Sequence, residues 1–579
     1  MSPPNPTQSV DAAAVNRDVL ELVEFVQPHS EWFLSEDGRL PLEVNGTEFD
    51  FSAAHGRLIF SCWTQRGARA WRVTEWNRAG EKLVLQVSRR MGAEIATIEL
   101  VPRASAKALV ATIAAARQAR CEMLAQLVAQ TLGEGVGFGV LGVGTTALEL
   151  NSLSPWERAG VRGEARTIVS PHPNPLPKGE GTALHPNPDT QYAAVKIERA
   201  TLSPGMRRDQ PGRYARIILR LPHERIAVTG TVAQSDPRNV DSLFSSALLW
   251  FARVQSAPKR PPINRLLIVV EGSILDSARQ RHVLLRGSLR ERIELMTIDD
   301  EWRTVEPTPT WERKYLWRKR LARFPRPLET PAIDRVEEIA AIAPGAIDVV
   351  ASRHGQTLRY HGLPFARVRR VMERDRIWFG IEGSRRRLLD EYHHRDWGKL
   401  LSDLQTYRQE SCRDRRHWFY RAAGEAWLES ILRRDISRLD PGLIVAPLHA
   451  QFRTSHGGAM HGGGARPIDL LALRYDGRLA VIELKVSEDR EHVFQGVDYW
   501  RRVEAHRRRG HISSAKLFGD REISDESPLV YLVAPTLRFH PSFATLARMI
   551  APDIEIYRFD INEDWRAGVR VVRRERVNA

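Results

Sequence analysis

Cysteine is nearly missing: the 579 residues include three, Cys62, Cys121 and Cys412, far apart and with no C-x-x-C pair. That argues against both a disulfide framework and a thiolate zinc site, and it fits a reducing cytoplasm. Long apolar runs are missing too. The longest uncharged stretch, 135–148, is too short and too rich in glycine to span a bilayer, so no membrane partner is expected. Asp11 precedes the first arginine and no basic segment leads into an apolar one, so a secretory signal is not expected. No G-x-x-x-x-G-K-[ST] occurs, which leaves an ATP-driven motor without support. Gly137-Phe-Gly139-Val-Leu-Gly142 matches G-x-G-x-x-G but follows a helical pattern instead of a strand, the wrong context for a dinucleotide. His449, His456 and His461 cluster in a glycine-rich loop without regular ligand spacing, which reads as a polar loop before it reads as zinc.

What the chain has in excess is positive charge. Lys+Arg 86 against Asp+Glu 71 leaves +15, a surplus that favours a polyanionic partner, nucleic acid first. At roughly 150 residues per domain the length suggests about three to four domains. Residues 1–151 read as an α+β unit: β-type runs such as Leu58–Trp63 and Lys82–Val87, then a helix from Ser105 to the Gly133 cluster. Residues 152–189 are rich in Pro, Gly and charge and lack either periodicity, so a disordered insertion is expected. Their halves, LSPWERAGVRGE and SPHPNPLPKGEG, resemble translated palindromic repeat elements of bacterial genes. A second α+β unit, 190–330, ends in WERKYLWRKRLARFPRP. That mixture suits phosphate contacts with base stacking, or else a helix that packs its aromatics. Residues 331–410 form a further basic α+β unit, with Arg367, Arg369, Arg370, Arg374 and Arg376.

Residues 411–579 are the most informative. Trp418 to Arg438 reads as one amphipathic helix with Glu425 and Glu429 at its edge, and Leu443 to Phe452 as a β run. Two apolar runs, PIDLLALRY and RLAVIELK, then flank Asp476-Gly477, a hairpin signal, and their ends carry Asp469, Glu483 and Lys485. Charges at the end of a buried strand lose hydration unless paired or bound to metal. A hard divalent cation, Mg²⁺ or Mn²⁺, resolves the oddity, with the lysine orienting and helping to deprotonate an attacking water. A structural ion pair of Lys485 with Asp469 or Glu483 is the alternative.

Taken together, Pro467-Ile-Asp469, Glu483-Leu-Lys485 and Gln495-Gly-Val-Asp-Tyr499 resemble the PD-(D/E)XK nuclease superfamily, in the branch that adds a Q-x-x-x-Y helix. The resemblance covers 415–579, and its first motif is one residue longer than P-D. It implies a restriction-endonuclease-like α-β-β-β-α-β core with a mixed sheet, within a chain that is α/β (α+β overall). It implies Mg²⁺ or Mn²⁺ on Asp469 and Glu483, Lys485 positioning water, and Gln495 and Tyr499 orienting the scissile phosphate. Glu425 or Glu429 would add an outer carboxylate, with Glu429 favoured by its W-L-E context. The expected function is Mg-dependent hydrolysis of DNA phosphodiesters in repair, restriction or defence, with RNA left open as a substrate. The alternative is a catalytically silent nuclease-fold scaffold that binds DNA or protein. Arg501, Arg502, Arg507, Arg508 and Arg509, just past the Q-x-x-x-Y segment, are expected to bind phosphate.

Register decides whether such a site exists. A two-residue turn at Asp476-Gly477 would put Asp469 and Glu483 on opposite faces. A three-residue loop, Tyr475-Asp476-Gly477 with Gly477 left-handed, sets Asp469 opposite Glu483 and Leu471 opposite Val481, and this register is the expectation. At 100° per residue, Gln495, Tyr499 and Arg502 share one stripe and Val493, Val497 and Trp500 the opposite, packed one.

Overall fold

Alternation of apolar and polar residues along 31–102 becomes one antiparallel sheet. Its strands are β1 (Glu31–Glu36), β2 (Leu42–Asn45), β3 (Phe49–Ala54), β4 (Arg57–Thr64), β5 (Gly67–Ala79), β6 (Lys82–Arg89) and β7 (Glu94–Pro102), in the order β2-β1-β7-β6-β5-β4-β3. Helix α1 (Pro6–Val26) packs Leu22 against its inner face beside Trp32, Phe49 and Phe60. The computed structural model describes residues 6–579 except 37–41, 55, 65–66, 90–93, 106, 134–194, 206–211, 234–238, 257–260, 319–332, 353–354, 372–373, 382–386 and 447–468. The expected insertion at 152–189, the Gly137–Gly142 motif, the three-histidine loop, Pro467 and the second half of the basic-aromatic segment lie outside the described residues.

Helix α2 (Lys107–Gly133) touches the sheet it follows only near its start, where Val110 and Ile113 pack with Phe33 and Val101. Its Cys121, Leu124 and Val128 pack on the next one, among Ala215, Ile217, Val228 and Val269. That sheet runs β8 (Lys196–Leu202), β9 (Tyr214–Arg220), β10 (Arg225–Thr231), β11 (Ile263–Glu271), β12 (Ile293–Ile298) and β13 (Val305–Pro307), in sequence order across its width. β10, β11 and β12 are parallel, joined by α3 (Val240–Gln255) and α4 (Gly272–Val283).

The third sheet is antiparallel: β14 (Ile347–Ser352), β15 (Gly355–Tyr360), β16 (Leu363–Val371), β17 (Arg374–Phe379) and β18 (Arg387–Leu388). Helices α5 (Asp334–Ala341) and α6 (His394–Tyr407) contribute to the core on one of its faces. Arg408, fully buried, donates to the carbonyls of Tyr360 (2.8 Å), His361 (2.8 Å), Phe419 (2.8 Å) and Ala422 (2.7 Å), which fastens this unit to the start of the last one. At that point the single helix expected from Trp418 to Arg438 breaks. Ala423 is left-handed (φ 44°), a short turn Trp418–Arg421 precedes it, and α7 (Gly424–Arg434) follows.

The fourth sheet consists of β19 (Leu443–Val445), β20 (Leu470–Arg474), β21 (Leu479–Leu484), β22 (Leu529–Pro535), β23 (Ile556–Ile561) and β24 (Val571–Arg576), again in sequence order. β21, β22 and β23 are parallel, joined by α8 (His492–Arg507) and α9 (Phe543–Arg548). The second and fourth sheets therefore share one topology: a leading helix on one face, an antiparallel three-strand meander, two parallel crossovers and a closing antiparallel strand. Their crossover helices merge into a single core, with Phe244 and Phe494 rings 6.0 Å apart. Leu285, just past α4, bridges Ile550, just past α9, and Ala551 N donates to Leu284 O (3.0 Å) as Arg286 N donates to Met549 O (2.9 Å). Equivalent segments pairing with each other are what a twofold axis produces.

Candidate active site

Gly477, at φ 78°, closes a loop in which Arg474 N donates to Arg478 O (2.9 Å) and Gly477 N to Arg474 O (3.0 Å). The three-residue register follows: Leu470 faces Ile482, Leu471 faces Val481 and Leu473 faces Leu479. One step further, Asp469 stands across from Glu483, and its Oδ2 accepts from Leu484 N at 2.8 Å. Glu483 is 2% exposed and Lys485 7%. Lys485 Nζ donates to Glu483 Oε1 (2.6 Å) and lies 3.9 Å from both Glu425 Oε1 and Asp489 Oδ2. Glu483 Oε2 is buried without a hydrogen-bond partner.

Two carboxyls in one dry place cannot both be comfortable as anions. Burial, then the neighbouring Glu483, pushes Asp469 well above the usual carboxylate range, against the pull of Lys485 and the Leu484 amide. Burial alone would lower Lys485, but Glu483, Glu425 and Asp469 outweigh it and raise the ammonium above its ordinary value. Lys485 is thus a fixed positive charge and hydrogen-bond donor.

Helix α8 presents its stripes as its sequence pattern requires. Val493, Val497 and Trp500 join the core with α3 and α9. Gln495, 4% exposed, donates from Nε2 to Asp489 Oδ2 at 3.4 Å. Tyr499 packs with Leu471 and Val481, and burial together with Glu483 and Asp469 raises its hydroxyl well above its ordinary pKa. Gly496 permits this close seat: a Cβ there would stand 2.5 Å from Leu532 Cδ2. His492 Nε2 lies 3.3 Å from Glu483 O, and burial and then Lys485 lower its pKa to about 3, so it stays neutral. Neither Asp489 nor His492 is among the residues expected from sequence. The signal for Asp489 is the charge run Ser487-Glu-Asp-Arg-Glu491, which directly follows the Glu483-x-Lys485 strand end.

The two candidate helix acids separate cleanly. Glu429 is held at both oxygens, by Arg433 Nε (2.8 Å) and by Arg359 Nη2 (3.1 Å) from the third sheet. Arg433 in turn donates to Asp469 O (2.8 Å). Glu425 is the acid beside Lys485. Gly424 lets it approach, since a Cβ at 424 would meet Val486 Cγ2 at 2.8 Å. Of the two, Glu425 stands beside Lys485, whereas Glu429, preferred from the sequence context, is paired with arginines.

The arginines past α8's site face are committed within the chain. Asp498 takes Arg501 (2.7 Å), Arg502 (2.5 Å) and, from α4, Arg281 (2.8 Å), and despite burial these guanidiniums hold it well below the usual carboxylate range. Glu504 takes Arg507 (2.7 Å) and Arg508 (2.6 Å), and Arg509 donates to Ala505 O (2.8 Å) and to Trp317 O. Arg502, Arg507 and Arg508 thus each have a carboxylate partner on their own helix, and Arg509 is tied to two carbonyls. The described part of the basic-aromatic segment also packs inward: Trp317 lies 6.2 Å from the Trp500 ring, and Arg313 5.2 Å above it.

Among the described residues no three His, Cys, Asp or Glu side chains form a metal cage, and no helix is long and apolar enough to cross a membrane. Two carboxylates leave most of an octahedral shell to water and substrate, the manner in which Mg²⁺ is usually held. Compared with known proteins, the chain matches no family model, no curated protein and no solved structure.

Proposed function

We propose that the chain is a metal-dependent nuclease that hydrolyses DNA phosphodiesters at Asp469, Glu483 and Lys485. One observation carries the reading: a buried Glu483 Oε2 with no partner, beside a second carboxyl whose ionisation is suppressed. A cation relieves both, and hard oxygen donors suit Mg²⁺ or Mn²⁺. Asp469 and Glu483 would hold it, and when bound it supplies Lewis acidity at a phosphate oxygen and lowers the pKa of water. The remaining work belongs to the chain. Lys485, permanently charged, orients the attacking water and meets the negative charge that develops on the phosphate. Tyr499 keeps its proton and is a donor, while Gln495 ties the start of α8 to the loop that follows Lys485. Glu425 holds the outer side of the ammonium. The order α7-β19-β20-β21-α8-β22 agrees with the restriction-endonuclease-like core implied by the sequence motifs, and repair, restriction or defence are the settings such chemistry serves.

A silent platform reading has its own support, but in the other unit. At the corresponding ends of β9 and β10, Tyr214 and Thr231 face each other where the fourth sheet has its carboxylates. We assign the platform role to that unit and the chemistry to residues 424–576. The test is cleavage of plasmid DNA with Mg²⁺ by the full chain and by Glu483→Gln. Loss of roughly 10²-fold or more in the variant is expected. Equal rates in the two would overturn the assignment, and an RNA substrate run in parallel sets the substrate class.

A further inference from the structure

Four arginines without a carboxylate partner among the described residues lie along the seam between the two like units. On the β8–β9 ladder Thr201 faces Arg216 and Arg199 faces Ile218, and Ile218 belongs to the core shared with α3. Facing residues share a side, so Arg199, Thr201 and Arg216 all point toward α3. There Arg216 lies 5.9 Å above the Trp250 ring, one helical turn from the exposed Arg253. The loop that follows Lys485 reaches the same helix, where Ser245 Oγ donates to Arg490 O at 3.4 Å. Arg199, Arg253 and Arg490 are exposed and Arg216 is half-buried. Among the described residues none of the four side chains makes an ion pair or hydrogen bond, in contrast to the neutralised arginines of 501–509. Burial first, and then the charges of Arg253, Arg490 and Arg199, lower Arg216 to about 10.

Crowded, unneutralised guanidiniums repel one another unless a polyanion covers them, and phosphates spaced along a backbone release counterions as they do so. We propose that Arg199, Arg216, Arg253 and Arg490 grip the phosphodiester backbone of the nucleic acid and lead it to the site at Lys485, five residues before Arg490. The inference rests on the nuclease reading for its substrate, and it gives the silent unit a part in the chemistry, because that unit carries three of the four arginines.

The experiment measures binding of a fluorescent DNA duplex by the full chain in EDTA across a salt series, so that catalysis plays no part. An RNA duplex of the same sequence is the second arm. Arg199→Gln/Arg253→Gln/Arg490→Gln leaves Arg216 on its tryptophan. It is expected to bind DNA at least tenfold more weakly near 0.1 M salt, with the slope of log K against log salt reduced by about 2 to 3. Arg253→Gln alone is expected to reduce the slope by about 1, and Arg508→Gln to change affinity less than twofold. Wild-type slope and affinity in the triple variant would overturn the proposal. So would a triple variant that loses binding to RNA but keeps it to DNA. Failure of the nuclease reading is separate: it shows as cleavage that does not depend on Glu483, whatever the binding curves give.

Discussion

Lys485, Asp469 and Glu483 stand out in the sequence because ionisable groups at the ends of apolar strands are costly, and that cost is visible without coordinates. The helix acid is not legible in the same way. Glu429 and Glu425 lie one turn apart, and what separates them is Arg359, a residue of another sheet that no local pattern points to. Two substitutions distinguish the roles. Glu429→Gln removes the partner of two largely buried guanidiniums and is expected to cost about 1 to 3 kcal/mol of stability, read as a lower urea midpoint. Glu425→Gln is expected to leave the midpoint within about 0.5 kcal/mol and to lower the cleavage rate instead. The reverse pattern would return the outer carboxylate to Glu429. A charge run hides its pairing for a related reason: Arg501, Arg502, Arg507 and Arg508 are i+3 or i+4 from Asp498 and Glu504, so each meets a carboxylate of its own helix.

At the scale of elements, the hairpin is readable because a side-chain period of two admits only one register that brings both carboxylates to one face. Periodicity predicts strands over Leu529–Ala534, Ile554–Phe559 and Val569–Val572; the first starts where expected, the other two start two residues later, at Ile556 and Val571, and the stripes of α8 follow from the same kind of pattern. The break at Ala423 does not, because it is imposed from outside by Arg408 on the carbonyls of Phe419 and Ala422. Nor does the destination of α2, whose apolar stripe fits either neighbouring sheet. Close seating of α8 gives an element-level prediction. Gly496→Ala sets a methyl against Leu532 and Val530 and is expected to destabilise by about 1 to 3 kcal/mol and to lower cleavage by moving Gln495 and Tyr499. A variant with unchanged melting temperature and rate would show that the seat is loose.

The whole molecule holds what the sequence conceals most fully, a second copy of the fourth sheet's topology. Its counterpart positions are Tyr214 and Thr231, so no motif repeats, and the likeness resides in strand order alone. The seam between the copies is testable through Phe244 and Phe494: a double-mutant cycle to Ala is expected to give a coupling of about 0.5 to 1.5 kcal/mol, and additive losses would mean the units merely touch. Acid should weaken the assembly. Burial, then His511 and Arg509, lowers His506 to about 4, and burial, then Arg434 and Arg408, lowers His361 to about 3, from an ordinary 6.5. The unfolded chain binds those protons and the folded one does not. Stability is therefore complete above pH 6.5 and falls as pH drops toward 4 and 3, by up to about 1.4 kcal/mol per pH unit for each histidine. Urea midpoints at pH 7 and pH 5 measure it, and His506→Gln should shallow the fall.

The most direct measurement compares the purified chain and Lys485→Ala on one labelled DNA, with Mg²⁺ and with EDTA, at protein concentrations where both bind. Cleavage is expected from the wild type with Mg²⁺ only, and at a rate at least roughly 10²-fold lower from Lys485→Ala at equal binding. Intact DNA with both proteins in Mg²⁺, or equal cleavage by both, would contradict the assignment of Lys485 and its carboxylates as a nuclease site.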